Sequence, residues 1–380
     1  MSKTFVAKFL TIVCVICPML VQAEGLSCRK VFADPYNLNE SLADQLSDLK
    51  ESLKALRREI KEAADSKDPM SAVHDLEVDP REVAFLLQGS YRLILSNPAA
   101  KDVLTESNLK IVKKGLNALK DFEKRFGEYY VKVELLKVAK KSKMPEDFIK
   151  YLKSERQRVS KKLYRDLKDE DYLDKDVTAV IELSKKIQKF KLPENVDSRK
   201  WIHDSLASEI ERVNDKIDNE MAPLIRAPVY GYHEIENGAH AFRRSIRWLK
   251  VYIESYSEYF TLVRTTPSEP AVATYSDKFK LGYDEIGKIP LRDVDYAKII
   301  ENVEVLRKIK KSGEMKELLT QELILFGQWN GRPVGAAAAV SVIENYFNYD
   351  SQALQIKSQE ILNNFQARRG MRSILVERSQ

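Results

Sequence analysis

Apolar residues recur at spacings of three and four along most of this chain, a periodicity that points to α-helices. Leu42, Leu46, Leu49, Leu53 and Leu56 show it plainly. Gly and Pro are sparse, thirteen of each in 380 residues, and alternating β-branched runs of strand type are missing. The expected class is therefore all-α. Helices are predicted over 41–64, 80–95, 106–140, 146–167, 176–190, 198–220, 232–263, 293–311, 314–326 and 334–365, the last with a break near Asn348. Start signals support several of them: Asp79-Pro80 supplies an N-cap followed by proline at the first helical position, and Pro145-Glu146 and Asp197-Ser198 open others.

The best internal boundary is Lys191-Leu192-Pro193-Glu194-Asn195, which divides the chain into 24–192 and 193–380. The longest irregular stretch, 265–290, is interrupted by Pro267, Pro270 and Pro290. It carries Tyr275, Phe279 and Tyr283, so it is expected to lie against the second half. The Leu-rich 41–64 segment must pack on something, but two heptads do not define a coiled coil.

Residues 1–23 read as a secretory signal peptide: Lys3 and Lys8, an apolar run from Phe9 to Val21, then Val21-Gln22-Ala23 for cleavage. The expected location is periplasmic or secreted, with no transmembrane segment. Cys14 and Cys17 fall in the leader, which leaves Cys28 without an intrachain partner. Gly25-Leu26-Ser27 before Cys28 lacks the usual Leu three residues ahead of a lipid-anchor cysteine, and a free or sheltered thiol is expected. Removing the leader's two lysines from 63 basic against 57 acidic residues leaves a mature charge of +4. That is too mild a field to drive nucleic-acid binding, so anion affinity has to come from local clustering.

Such a cluster exists. His240, Arg243, Arg244, Arg247 and Lys250 lie on one predicted helix with no carboxylate between Asn237 and Tyr252. At about 100° per residue the first four share a sector of roughly 100°, with Lys250 at its edge. Phe242, Ile246, Leu249 and Ile253 form the opposite, apolar side. A solvated basic face is the ordinary reading of such a run. The arginine forks, suited to bidentate phosphate contacts, and the missing local acids favour an anion site. Asn237-Gly238 either begins the helix and lends it free N–H groups, or sits within a helix from Tyr232 where Gly238 permits close contact.

His-x-x-Arg-x-x-x-Arg-x-x-Lys on an apolar-backed helix resembles the motif of the conserved histidine α-helical (CHAD) domain. The residues that carry the match are His240, Arg243, Arg247 and Lys250, with Ile246 and Leu249 at the apolar positions. The resemblance implies two helical bundles related by a pseudo-repeat. It also implies binding of inorganic polyphosphate in a basic groove, without catalysis. The first half departs from the pattern: His74-Asp75-Leu76-Glu77 places Glu77 where arginine is expected, and Pro80 interrupts the helix before Arg81.

Rival readings are weaker. His233, Glu236 and His240 share a helix face and could hold a metal, but the neighbouring arginines oppose a cation; no metal and no cofactor is expected. His203 reads as a core or boundary histidine. The basic runs Lys110–Lys120, Lys137–Lys143 and Arg156–Arg165 read as solvated faces. Gly335–Ala339 reads as small side chains for close helix packing. Catalytic signatures of the P-loop, Gly-x-Ser-x-Gly and His-Glu-x-x-His types are missing, so the chain is expected not to be an enzyme. The expected function is an exported binder of inorganic polyphosphate or a similar polyanion. The alternative is a helical scaffold for a protein or envelope partner whose phosphate site has degraded.

Overall fold

The computed structural model describes residues 80–168, 196–265, 269–347 and 351–376, together with Leu38, Ser47 and Glu51. The leader at 1–23, Cys28, most of the 41–64 helix, the His74 motif, the 176–190 helix and the 191–195 boundary lie outside these residues. Among the described residues the chain is all-α apart from two four-residue strands, and no helix is long and apolar enough to cross a membrane.

Helix α1 (Pro80–Ser96) opens on its proline as the sequence predicts. Helix α2 (Glu106–Lys141) is capped by Thr105, whose side chain accepts from the Asn108 amide, and it closes on Lys140 and Lys141 at the negative end of its dipole. Helix α3 (Glu146–Lys168) returns beside it. Helix α4 (Ser198–Lys216) is capped by Asp197, which accepts from the amides of Arg199 and Lys200. It continues through a π turn (Ile217–Met221) into the short helix Ala222–Ile225.

The segment expected as one helix over 232–263 starts at Tyr232 as predicted, changes type within, and is corrected at its C-terminal end. It begins as a turn of α-helix (Tyr232–Glu234), widens into a π-helical stretch (Ile235–His240) and becomes α5 (Ala241–Ser255). The backbone is helical throughout, so Gly238 starts nothing and offers no free N–H groups. A Cβ there would lie 3.2 Å from both Leu224 Cβ and Ile225 Cγ1, so the glycine serves close packing. At its other end the helix stops at Ser255. Tyr256 leaves helical geometry (φ −129°, ψ 42°), and the aromatic and β-branched run Phe260–Val263 forms strand β1. β1 pairs in parallel with β2 (Ile289–Arg292), with Phe260 opposite Ile289 and Val263 opposite Arg292. The absence of strand-type patterning is thus corrected locally, since both strands are too short to show alternation.

Between the strands, helix α6 (Pro270–Tyr275) starts on a proline, and Phe279 packs on Tyr296 with ring centroids 5.4 Å apart. The irregular stretch is therefore held against the next helix, as its aromatic residues suggest. That helix, α7 (Asp293–Trp329), is single where two were predicted. Gly313 lies inside it without breaking it, because tertiary packing outweighs the roughly 1 kcal/mol that glycine costs a helix. At 1.5 Å per residue α7 is about 55 Å long. Helices α8 (Ala336–Phe347) and α9 (Ser351–Ala367) follow; the break expected near Asn348 lies outside the described residues.

Two groups of buried residues use α7. Leu135, Leu136 and Ala139 of α2 and Phe148 and Leu152 of α3 meet Leu319 and Leu323 of α7 and Ala339 and Ile343 of α8. Elsewhere α1 lies on α4 and α5, and α5 lies on α7. Phe242, Ile246, Leu249 and Ile253, the apolar stripe of the basic helix, are fully buried there. Helices from both sides of residue 192 contribute to each group.

The α1–α5 contact depends on Gly89. A Cβ at that position would sit 2.6 Å from both Ser255 Oγ and Val251 Cγ1, while Ser255 Oγ donates to Leu86 O at 2.7 Å. Gly89→Ala should destabilise the protein by about 1–3 kcal/mol in urea denaturation, because the helices must separate and this bond must stretch. An unchanged midpoint would show that the helices yield freely.

Candidate anion-binding cavity

The five stripe residues part company along their own helix. Arg243, Arg247 and Lys250, spaced i, i+4 and i+7, line one wall of a cavity of about 830 Å³. His240 and Arg244 lie round the helix from that ridge, towards Glu236. His240 Nδ1 is 2.9 Å from Glu236 Oε2, and Arg244 Nη2 is 3.5 Å from Glu236 Oε1. The stripe taken as uniform is thus divided. His240 closes the π-helical stretch, where the phase of 100° per residue no longer applies.

The run without acids is flanked by them. Glu236, one turn before His240, serves the first pair, and Glu254, one turn after Lys250, lies 2.8 Å from its Nζ. His240 and Arg244 are therefore corrected as cavity residues: neither lines it.

Other elements complete the cavity. Phe85 and Leu86 come from α1, Ile300, Val303, Glu304 and Arg307 from a ridge of α7, and Asp277, Lys278, Phe279 and Lys280 from the segment after α6. Among the described lining residues six cationic side chains face three acidic ones, a cationic excess. Two of the acids already have partners. Glu254 is shared by Lys250 and, at 4.0 Å, Lys280, and Glu304 is bound by Lys278. That pairing holds the Glu304 carboxyl below its ordinary range.

Arg243 is the unusual member. Its side chain is buried, with the residue 9% exposed, and its Nε has no hydrogen-bond partner among the described residues. Burial pushes the guanidinium down to about 10, and the like charges of Arg307 and Arg244 push the same way. Arg247 is held differently: its Cζ sits 4.5 Å from the Phe85 ring centroid and 5.7 Å from that of Trp248. Trp248 in turn takes Arg92 on its ring at 3.8 Å. Such stacking fixes the plane of a guanidinium.

Sequence reasoning missed Lys278, Lys280 and Arg307. The basic runs it weighed as groove extensions remain exposed surface: Lys110, Lys113, Lys114 and Lys120 on α2, then Lys137, Lys140, Lys141 and Lys143 at its end. Arg158, Lys161, Lys162 and Arg165 on α3 are exposed as well. The three missed residues become neighbours only when α7 and the segment after α6 fold against α5, and no spacing in the sequence signals that. His203 is half-buried, a boundary position as expected, and its exposed imidazole edge faces Asp204 at 3.1 Å. His233 is exposed too, 3.2 Å from Glu234, and the described residues contain no cluster of three or more His, Cys, Asp or Glu side chains suited to a metal.

No protein-family model, curated protein or solved structure matches the chain.

Proposed function

We propose that this protein is an exported, non-catalytic binder of inorganic polyphosphate or a comparable polyanion, and that the Arg243–Arg247–Lys250 cavity is its site. The observation that carries this reading is Arg243. A buried guanidinium surrounded by other arginines is costly unless an anion completes it, and here it opens on a cavity with a cationic excess. Arg247 presents a second, stacked guanidinium on the same wall. Lys278, Lys280 and Arg307 face them, as a multiply charged ligand requires. Three of the four residues that carry the CHAD resemblance lie in this cavity; His240 lies beside it.

Binding of long-chain polyphosphate should weaken steeply with salt, because each neutralised phosphate releases a counterion. Arg243→Glu with Arg247→Glu should reduce affinity at least tenfold and flatten that salt dependence. Titration calorimetry at two salt concentrations reads both effects. Affinity that survives the double reversal would remove the cavity from the function, and no binding at low salt would reject the polyanion reading itself.

A further inference from the structure

The cavity is as apolar as it is charged. Phe85 and Leu86 of α1, Phe279, and Val303 of α7 are only half-buried, and all four turn surface into it. Val251 and Ile300 complete this part of the lining. Every other described lining side chain is charged. An inorganic polyanion would use the cations and leave the apolar wall wet. A sugar or a nucleobase would need neutral hydrogen-bonding groups to read its edges, and this wall presents hydrocarbon and charge.

Resting on the anion-binding reading above, we infer that the cavity takes an amphiphilic phosphate: a phosphate or diphosphate ester of an aliphatic alcohol. Its headgroup meets Arg243, Arg247 and Arg307, and its hydrocarbon lies on Leu86, Phe279 and Val303. The size suits this ligand, since about 830 Å³ falls within the range of small-molecule sites. The cationic excess suits a headgroup of two or more charges better than a single carboxylate. Phe279 is anchored by its contact with Tyr296, and Phe85 by an edge contact with Trp248 at 5.8 Å, so the apolar wall is preformed.

The test compares three probes with the same diphosphate group on the full-length protein at one salt concentration: geranyl diphosphate, inorganic pyrophosphate and ADP. Geranyl diphosphate should bind roughly tenfold or more tightly than the other two, the increment expected for burying part of a ten-carbon chain. Val303→Asn, and separately Leu86→Gln, should erase that advantage while leaving pyrophosphate affinity within about twofold. Arg243→Gln should weaken all three. Equal affinity for the three probes, or ADP binding most tightly, would overturn the aliphatic ligand while leaving the anion site standing. So would an advantage for geranyl diphosphate that persists in both polar variants. Binding of long-chain polyphosphate alone would do the same. Failure of every probe, polyphosphate included, would overturn both readings.

Discussion

Arg243→Met should raise the protein's stability by about 1–3 kcal/mol at neutral pH and should at the same time remove most of its affinity for anions. The first effect follows from burial. A guanidinium pushed by burial down to about 10 costs the folded state roughly 3 kcal/mol while it stays charged. Methionine fills similar space without that charge and also ends the repulsion with Arg307 and Arg244, although it forfeits some packing of the arginine stem. The second effect follows from geometry, because Arg243 is the most deeply set cation of the cavity wall. The sign with pH is fixed as well. Below about 10 the arginine is charged in both folded and unfolded chains, and its penalty is complete. Above that value the unfolded chain holds more protons than the folded one, so the wild type gains stability as pH rises and the gap to the variant narrows. Urea denaturation at pH 7 and again above pH 10 reads this difference. Millimolar tripolyphosphate should raise the wild-type melting temperature and leave that of the variant nearly unmoved. A variant less stable than wild type by more than 1 kcal/mol would show that Arg243 has a structural partner, and the cavity would lose its strongest argument.

The balance of stability and binding at Arg243 was only half legible in the sequence. The helix and its two faces could be read directly: Phe242, Ile246, Leu249 and Ile253 are the buried stripe, and the arginines lie opposite. Periodicity reports which side of a helix is apolar, so this part was secure. It does not report what stands across from the polar side. Glu236 lies one turn before His240 and pairs with it and with Arg244, so the acid that serves them stands just outside the acid-free run. Lys278, Lys280 and Arg307 join the cavity of Arg243 from positions 35–64 residues later, through an irregular segment and a long helix. Other differences have equally local causes. Two helices, 293–311 and 314–326, were expected where the packing of α7 carries one helix through Gly313. The strands Phe260–Val263 and Ile289–Arg292 are four residues each, below the length at which alternation can be told from a helix turn.

Gly370→Ala should cost about 2–4 kcal/mol, a large loss for a single methyl group outside a helix or sheet. Two independent costs meet at this position. The chain after α9 makes three successive left-handed residues, Arg369, Gly370 and Met371, at φ of 54°, 60° and 67°. An L side chain in that region costs about 1–2 kcal/mol. The second cost is contact: a Cβ on Gly370 would fall 1.7 Å from Asn214 Oδ1 and 3.1 Å from Phe365 Cε1. Asn214 cannot simply swing away, because it is buried on α4 and its Nδ2 donates to Ile210 O at 2.8 Å. Around this bend Arg372 grips Glu211 and Ser373 Oγ donates to Asp295 Oδ2 at 2.9 Å, so the backbone is also tied on its far side. Gly331 separates the two costs. Its φ is +70°, but a Cβ there would meet nothing within 4 Å, so Gly331→Ala should lose only the conformational part, about 1 kcal/mol. Combining Gly370→Ala with Asn214→Ala should restore more than either single loss implies, with a coupling of about 1 kcal/mol or more in a double-mutant cycle by denaturation. Equal losses at Gly370 and Gly331, with no coupling to Asn214, would mean that the bend yields and that the close approach of α4 to the C-terminal turn does not hold the fold.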